Sequence, residues 1–170
     1  MTTINGRACV ANGTPVDKVF SNGRQVYGRN YIKNSYTDYR KITVDVWAGY
    51  TGIIIPITSM EVSAGDKITF SIWIKSPSEA LAGTAPRINL VRADNTYMAV
   101  TGTDYILPGE TGYRTITATI QADTVFVQLF LHRQGAVAGG TEFNVYIKRE
   151  KLETGTAATP CSPAPEDILK

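Results

Sequence analysis

Side chains that could act as nucleophile, acid or base at a reaction centre are sparse in this sequence. His132 is the one histidine in the chain, so a Ser-His-Asp triad has a single candidate for its base. The sequence contains no G-x-S-x-G, H-E-x-x-H, G-x-x-x-x-G-K-[ST] or G-x-G-x-x-G motif. A lone outward-facing imidazole on a strand more often makes a surface hydrogen bond than acts in catalysis. These residues therefore favour a protein that is not an enzyme.

The carboxylates leave one catalytic alternative open. Glycoside hydrolysis requires two carboxyl groups, about 5–5.5 Å apart in retaining enzymes and about 6.5–9.5 Å apart in inverting ones. The chain has 15 Asp and Glu residues, so a polysaccharide depolymerase stays open as an alternative. Several of these acids lie in turn-like segments, where such side chains satisfy local backbone donors without a further function. They are Asp66, Asp94, Asp104, Glu110 and Asp123.

The cysteines and the charge balance limit the cofactors and partners of the chain. Cys9 and Cys161 lie near opposite ends and no Cys and His spacing matches zinc, so free thiols are favoured while a bridge stays open. The 17 Lys and Arg residues nearly balance the 15 acids, for a net charge of +2. That balance gives no broad basic field for nucleic acid or an anionic membrane. The densest apolar run, residues 53–57, is far shorter than the roughly 20 residues of a membrane span.

Three segments carry aromatic and polar side chains opposite an aliphatic face. Residues 67–75, 86–92 and 124–134 alternate with a period of two, which is typical of half-buried strands. The side chains opposite the aliphatic ones are Trp73, Arg87, Asn89, Gln128, Phe130 and His132. An aromatic ring among amide, guanidinium and imidazole groups suits a sugar, which stacks its C–H face and bonds through its hydroxyls. The alternative is that a loop or a partner protein covers the aromatic rings.

Tyrosines add to this indication of a recognition surface. The chain has nine of them, and Tyr50, Tyr97 and Tyr105 lie near predicted loops. Tyrosine is common in recognition loops because it buries a large area at low rotamer cost and keeps a hydroxyl group. It is also common as a structural plug in small β proteins, so both interpretations stay open.

The elements that would position these side chains are strands throughout. Period-two alternation with many β-branched and aromatic residues predicts further strands at 41–47, 52–58, 97–101, 113–121 and 143–149. Segments rich in Gly, Asn, Asp and Pro separate them and are typical of turns. We therefore predict an all-β fold built as an antiparallel sandwich or barrel.

Length and composition indicate one domain with distinctive ends. The chain has 170 residues, of which 43% are hydrophobic and 19% charged, as is typical of a globular protein. We predict a β-sandwich module over residues 29–154. Residues 1–28 contain three Asn-Gly pairs, which favour type I′ turns, and are predicted to form a short hairpin or linker segment. Residues 155–170 are rich in Thr, Ala and Pro and are predicted to form an extended exit linker.

Three stretches of the sequence carry motifs of a known kind of module. Residues 143–167 read FNVYIKREKLETGTAATPCSPAPED, residues 28–35 read GRNYIKNS, and residues 67–76 read KITFSIWIKS. They resemble, respectively, the closing strand with its exit linker, the opening motif and a central strand of jelly-roll modules in tail proteins of phages that infect Gram-positive bacteria. Cys161 stands where such modules often have Trp. These modules are in turn similar to carbohydrate-binding modules of the cellulose- and xylan-binding jelly-roll superfamily.

The resemblance implies a jelly-roll β-sandwich that binds a host cell-wall or capsular polysaccharide without cleaving it. The N-terminal segment resembles sequence that precedes such modules in an extended distal tail protein of a lactobacillus-type phage. The protein would be made in the host bacterial cytoplasm and act in the virion, at the tail tip or baseplate, beside other tail proteins. Neither nucleic acid nor membrane is implied as a partner. The alternative is a purely structural spacer domain of the tail without a sugar site.

The resemblance also bears on the site residues and on cofactors. Carried over by matching strand, it places Trp73 at the sugar site, with Arg87, Asn89, Gln128, Phe130 and His132 as its neighbours. Many relatives hold a structural calcium ion near the points where the chain enters and leaves the sandwich. Glu153 and the pair Asn34-Ser35 lie at such points in this sequence. A structural calcium therefore stays open, and no other cofactor is implied.

Overall fold

The computed structural model describes residues 10–11, 14–35, 37–135 and 141–168, and nearly all regular structure in them is β. The strands are β1 (Val10–Ala11), β2 (Thr14–Pro15), β3 (Lys18–Ser21), β4 (Arg24–Gly28), β5 (Arg40–Val44), β6 (Ala48–Pro56), β7 (Lys67–Lys75), β8 (Thr84–Arg92), β9 (Tyr97–Thr101), β10 (Thr111–Thr119), β11 (Thr124–Arg133) and β12 (Phe143–Thr154). A 3-10 helix, Ile57–Ser59, follows β6, and a short α-helix, α1, spans Pro165–Ile168. No helix in these ranges is long and apolar enough to cross a membrane.

Eight of the strands form two antiparallel sheets that pack into a sandwich. The first sheet has the strand order β10-β7-β12-β5, and the second sheet has the order β6-β11-β8-β9. Every neighbouring pair in both sheets is antiparallel. The predicted all-β sandwich is therefore confirmed, and each of the eight sandwich strands predicted from the sequence has a counterpart here.

The core between the sheets is filled by the aliphatic side of the strands. β7 contributes Ile68, Phe70, Ile72 and Ile74 from the first sheet, and all four are 0% exposed. The second sheet contributes Ile88, Leu90, Val127, Leu129 and Leu131. Full burial of one such side chain contributes about 1.5–3 kcal/mol to folding. Because side chains alternate along a strand, the residues between these positions point to the outer face of each sheet.

A two-stranded ribbon, β3 and β4, precedes the sandwich. Its turn residues Asn22 and Gly23 have φ values of 49° and 74°. Positive φ at both central positions is the type I′ geometry, so the turn predicted from this Asn-Gly pair is confirmed. The Asn-Gly pairs at 5–6 and 12–13 lie outside the described residues, as does Cys9. Cys161 is a free thiol.

The opening motif of the sandwich holds the end of the described chain in place. The Asn30 side-chain amide donates to the backbone oxygens of Glu150 at 3.2 Å and Ser162 at 3.0 Å. Its Oδ1 accepts the backbone N–H groups of Ile32 and Leu152 at 3.0 and 3.2 Å. Asn30 is therefore a fully bonded buried amide that ties three segments together.

A buried polar network fixes residues 155–168 against the first sheet. Glu153 accepts the backbone N–H of Thr159 at 2.8 Å and its hydroxyl at 2.7 Å. The Lys151 ammonium donates to the Thr159 hydroxyl oxygen at 2.5 Å and lies 3.5 Å from the Glu153 carboxylate. Burial, which disfavours the charged ammonium, lowers the pKa of Lys151 despite the neighbouring Glu153. Whether residues 155–170 also act as an exit linker stays a prediction, but the described part of them packs on the domain.

Gly28 shows how closely the ribbon approaches this network. A Cβ atom at this position would lie 1.9 Å from the Glu153 Oε2 atom. The Gly28 backbone N–H donates to the Thr159 hydroxyl oxygen at 3.0 Å. Any side chain at position 28 would therefore displace the buried carboxylate, which accounts for the glycine that opens the Gly-Arg-Asn motif.

Candidate functional site

Five of the six residues predicted for the sugar site lie together on the outer face of the second sheet. Arg87 and Asn89 belong to β8, and Gln128, Phe130 and His132 belong to β11. In the register of the two strands, Arg87 is opposite Phe130 and Asn89 is opposite Gln128. Side chains at directly opposed positions lie about 4.5–5.5 Å apart at Cβ, so these residues form one continuous patch.

The sixth residue, Trp73, lies elsewhere. It is in β7 of the first sheet, where it pairs with Tyr113 in β10 and with Lys148 in β12. Its ring centroid is 6.3 Å from that of Tyr113. The outer faces of the two sheets point away from each other, so the expectation that Trp73 neighbours the other five residues is wrong. Alternation along a strand identifies the face on which a residue lies, but it does not identify the sheet that the strand joins.

The structure adds two tyrosines to the patch. Tyr50, in β6, is opposite Phe130, and the two ring centroids are 4.9 Å apart with an interplanar angle of 35°. Tyr97, in β9, approaches Arg87 from the other side. The two tyrosines are 44% and 53% exposed. Both lie within strands and not in loops, because β6 begins at Ala48 and Tyr97 is the first residue of β9.

β6 has a bulge next to Tyr50, and it begins at Ala48, four residues before the strand predicted at 52–58. The register of β6 against β11 shifts between the partners of Leu129 and Phe130, so that Ile53 and Tyr50 are consecutive partners. Gly52, within the bulge, has a φ of 79°. The bulge adds two residues, Thr51 and Gly52, so the alternation of faces continues through it: Thr51 and Gly49 are buried, and Gly52 and Tyr50 are exposed. The signal that the prediction missed is the continuation of the strand before Gly52: the same period of two, extended back from Ile54, places Tyr50 on the outer face.

Arg87 is the central polar group of the patch. Its Nε atom donates to Asn89 Oδ1 at 2.8 Å, which orients the guanidinium plane. Its Cζ atom lies 5.6 Å from the Tyr97 ring centre and 5.9 Å from the Phe130 ring centre. Two aromatic rings thus flank the guanidinium, a favourable position for a cation next to π systems.

His132 lies at one end of the patch. Its ring centroid is 6.1 Å from that of Tyr105, and its Nδ1 atom is buried without a hydrogen-bond partner among the described residues. Burial, and secondarily the positive charge of Arg87, lower the pKa of His132. The imidazole is therefore neutral at pH 7, with one ring nitrogen as donor and the other as acceptor.

The patch can stack and hydrogen-bond a ligand, but its strands supply no acid pair. β6, β8, β9 and β11, all within the described ranges, contain no Asp or Glu. A pair of carboxyl groups for glycoside hydrolysis would have to come from outside these strands. The chemistry present is that of reversible binding: aromatic faces, two amides, one guanidinium and one neutral imidazole.

The positions considered for calcium have other partners. The Glu153 carboxylate accepts two hydrogen bonds from Thr159 and lies 3.5 Å from the Lys151 ammonium, which already supplies its counter-charge. The backbone N–H of Asn34 donates to the Asp167 carboxylate at 2.8 Å. In the part of the chain that the structure describes, no three His, Cys, Asp or Glu side chains are grouped to hold a metal ion.

Solved structures similar to this chain include xylan-binding modules and a phage baseplate assembly. The CBM22-1–GH10 modules of Clostridium thermocellum endo-1,4-beta-D-xylanase 10B, in complex with xylohexaose, match at 6% identity and a TM-score of 0.48, over 79% of this chain and 30% of that chain. The CBM22-1 xylan-binding domain of Paenibacillus barcinonensis Xyn10C matches at 9% identity and a TM-score of 0.45, over 76% of this chain and 90% of that chain. The tripod (BppUct-A-L) from the baseplate of bacteriophage Tuc2009 matches at 22% identity and a TM-score of 0.49, over 76% of this chain and 51% of that chain.

These matches concern structure alone. No protein-family model matches the chain, and no curated protein matches it. The chain spans less than two thirds of the length of the xylanase and baseplate chains that it resembles.

Proposed function

We propose that the chain is a non-catalytic carbohydrate-binding module of a phage tail, which holds a host cell-wall or capsular polysaccharide on the outer face of the second sheet. The observation that carries this proposal is a series of contacts across all four strands of that sheet. Tyr50 in β6 stacks near Phe130 in β11, which flanks Arg87 in β8, which in turn reaches Tyr97 in β9. Four strands span about 14 Å, enough for an extended polymer of a few sugar rings.

The proposed site combines the two kinds of group that a sugar ring requires. Tyr50, Phe130 and Tyr97 offer aromatic faces for the C–H side of a ring. Asn89 and Gln128 lie opposite each other on adjacent strands. Gln128 is half-buried and offers its planar amide to a pair of hydroxyls, whereas Asn89 is 4% exposed and uses its Oδ1 atom to hold Arg87. Because the surface is an open sheet, a single site binds weakly and releases its ligand readily. Repetition of tail proteins around the tail axis raises avidity by roughly 10²- to 10⁴-fold without new contacts.

Support for the phage-tail part of the proposal comes from the sequence motifs that resemble tail modules. Residues 28–35 and 143–167 contact each other, because Asn30 bonds the backbone of Ser162 and Asn34 bonds Asp167. The two motifs therefore belong to one structural unit, the closure of the sandwich.

Whole-cell labelling tests the proposal. The full chain fused to a fluorescent protein is incubated with Gram-positive cells, including lactobacilli, with and without their purified wall polysaccharide as competitor. We expect labelling of some strains that the polysaccharide removes. Phe130→Ala should reduce labelling about tenfold or more, because Phe130 contacts both Tyr50 and Arg87.

Trp73→Ala is the matched control, since Trp73 is an aromatic residue on the outer face of the other sheet. It should label cells as the parent protein does. Equal losses of cell labelling for both variants, or a loss of labelling for Trp73→Ala alone, would contradict the assignment of the sugar site to the second sheet. A folded fusion that labels no strain would contradict sugar binding and favour the structural spacer.

A further inference from the structure

The three arginines of the second sheet differ in their partners. Arg92, at the end of β8, pairs with the Asp123 carboxylate. Arg133, at the end of β11, is buried and donates to the backbone oxygens of Asp45 at 3.1 Å and Thr141 at 3.2 Å. Arg87, in the middle of the candidate site, forms no ion pair with any described carboxylate. Of these three arginines, Arg87 is thus the one that donates to neither a described carboxylate nor a described backbone oxygen.

The surroundings of Arg87 prepare it for an anion. Asn89 accepts a hydrogen bond from Nε, while neither terminal nitrogen of the guanidinium donates to a described residue. The rings of Phe130 and Tyr97 flank the group. A guanidinium held at Nε and flanked by rings leaves its terminal N–H groups for a ligand. Two parallel N–H groups match the paired oxygens of a carboxylate or phosphate better than they match a single hydroxyl.

We propose, building on the function proposed above, that the polysaccharide is acidic and that Arg87 binds its carboxylate or phosphate group. The strands around Arg87 contain no Asp or Glu to compete for it or to repel an anion. The neighbouring aromatic rings exclude water from part of the guanidinium, which strengthens a charge-assisted hydrogen bond. Neutral rings of the same polymer stack on Tyr50 and Phe130. The contact between the acidic substituent and Arg87 makes the site prefer this polymer to a neutral one.

Fractionated wall polysaccharide from a labelled strain tests this inference. Anion-exchange chromatography separates it into an acidic pool and a neutral pool, and binding of the full chain to each is measured by calorimetry or affinity electrophoresis. We expect binding to the acidic pool, weakened by added salt as charge pairs at a surface are. Carboxyl reduction of that pool abolishes binding if the anion is a carboxylate. Hydrofluoric acid, which cleaves phosphodiesters, abolishes it if the anion is a phosphate.

Two arginine variants assign the effect to one side chain. Arg87→Gln should weaken binding to the acidic pool roughly 10- to 100-fold, the range expected for loss of hydrogen bonds to a charged group. Arg87→Lys should be intermediate, because it keeps the charge but not the paired donors. Arg92→Gln, whose parent side chain already has a carboxylate partner, should bind as the parent does. Unchanged thermal unfolding of Arg87→Gln shows that the loss concerns binding.

The outcomes separate this inference from the proposed function. Equal binding of Arg87→Gln and the parent protein to the acidic pool overturns the role of Arg87. Binding confined to the neutral pool overturns the acidic ligand but leaves carbohydrate binding intact. Binding to neither pool by a folded protein overturns both.

Discussion

The two outer faces of the sandwich differ in how far the rest of the chain covers them. On the first sheet, Thr69 and Ser71 are 1% and 0% exposed, whereas Trp73 is half-buried. Thr69 donates to the backbone oxygen of Gly155 at 2.8 Å, which ties that segment to the sheet. On the second sheet, Tyr50 and Tyr97 stay about half exposed. The outer face of the first sheet, here the closed face, is thus partly covered by the chain itself, whereas the outer face of the second sheet, here the open face, leaves its tyrosines exposed.

This difference separates the residues that define the module from those proposed to bind. All three motifs that resemble phage tail modules lie on the closed side: residues 28–35, 67–76 and 143–167. None of them contributes to the second sheet. The resemblance therefore concerns how the sandwich is closed. The proposed ligand specificity rests on side chains of β6, β8, β9 and β11, which lie outside these motifs.

The largest effect that we expect is on stability, from the closed face. Glu153→Ala leaves the Lys151 ammonium buried next to Thr159 without its counter-charge. Loss of one partner of a buried pair typically costs about 3–5 kcal/mol. Denaturant unfolding should show this loss in the free energy of unfolding, while the remaining folded protein binds polysaccharide with unchanged affinity. A loss below about 1 kcal/mol would mean that the network does not hold the closed face together.

Sequence alone could predict the strands but not their assembly. The alternation of Ile68, Phe70, Ile72 and Ile74 gives the core side of β7 directly, because a period of two is a local property. That Trp73 and Phe130 lie on opposite sides of the molecule depends on strand order, which is non-local. Tyr50 and Tyr97, two aromatic residues of the candidate site, lie in β6 and β9, the edge strands of the second sheet. Only the strand order brings them next to Phe130 and Arg87.

The closed face was the harder part to predict, for a different reason. Thr159 lies in a Thr-, Ala- and Pro-rich stretch whose composition is that of a linker. Its burial depends on Glu153 and Lys151, two charged residues that sequence rules place at the surface. Only their mutual contacts, formed when residues 155–168 pack on the first sheet, make burial of these charges possible.

We expect an effect of intermediate size, on polysaccharide affinity, from two tyrosine variants of the open face. Tyr50→Ala and Tyr97→Ala each remove one exposed ring of the open face and should weaken polysaccharide binding about 2- to 12-fold, as expected for loss of 0.5–1.5 kcal/mol of aromatic contact. Tyr113→Ala, on the first sheet beside Trp73, is the matched control and should bind as the parent does. Calorimetric titration with the bound polysaccharide measures all three. A weaker polysaccharide affinity for Tyr113→Ala alone would show that the binding site lies on the closed face instead.

The smallest effect that we expect is on the pH dependence of stability, and it comes from His132 on the open face. Because the pKa of His132 is lowered in the folded state, the unfolded chain binds more protons below its ordinary value of 6.5. The free energy of unfolding should therefore fall as the pH drops from 7.5 to 5.5, by less than about 1 kcal/mol because the imidazole is partly exposed to water. His132 is the one histidine in the chain, so His132→Gln should remove this contribution and flatten the profile. Urea unfolding of both proteins at several pH values measures the slope, and parallel profiles would exclude His132 as its source.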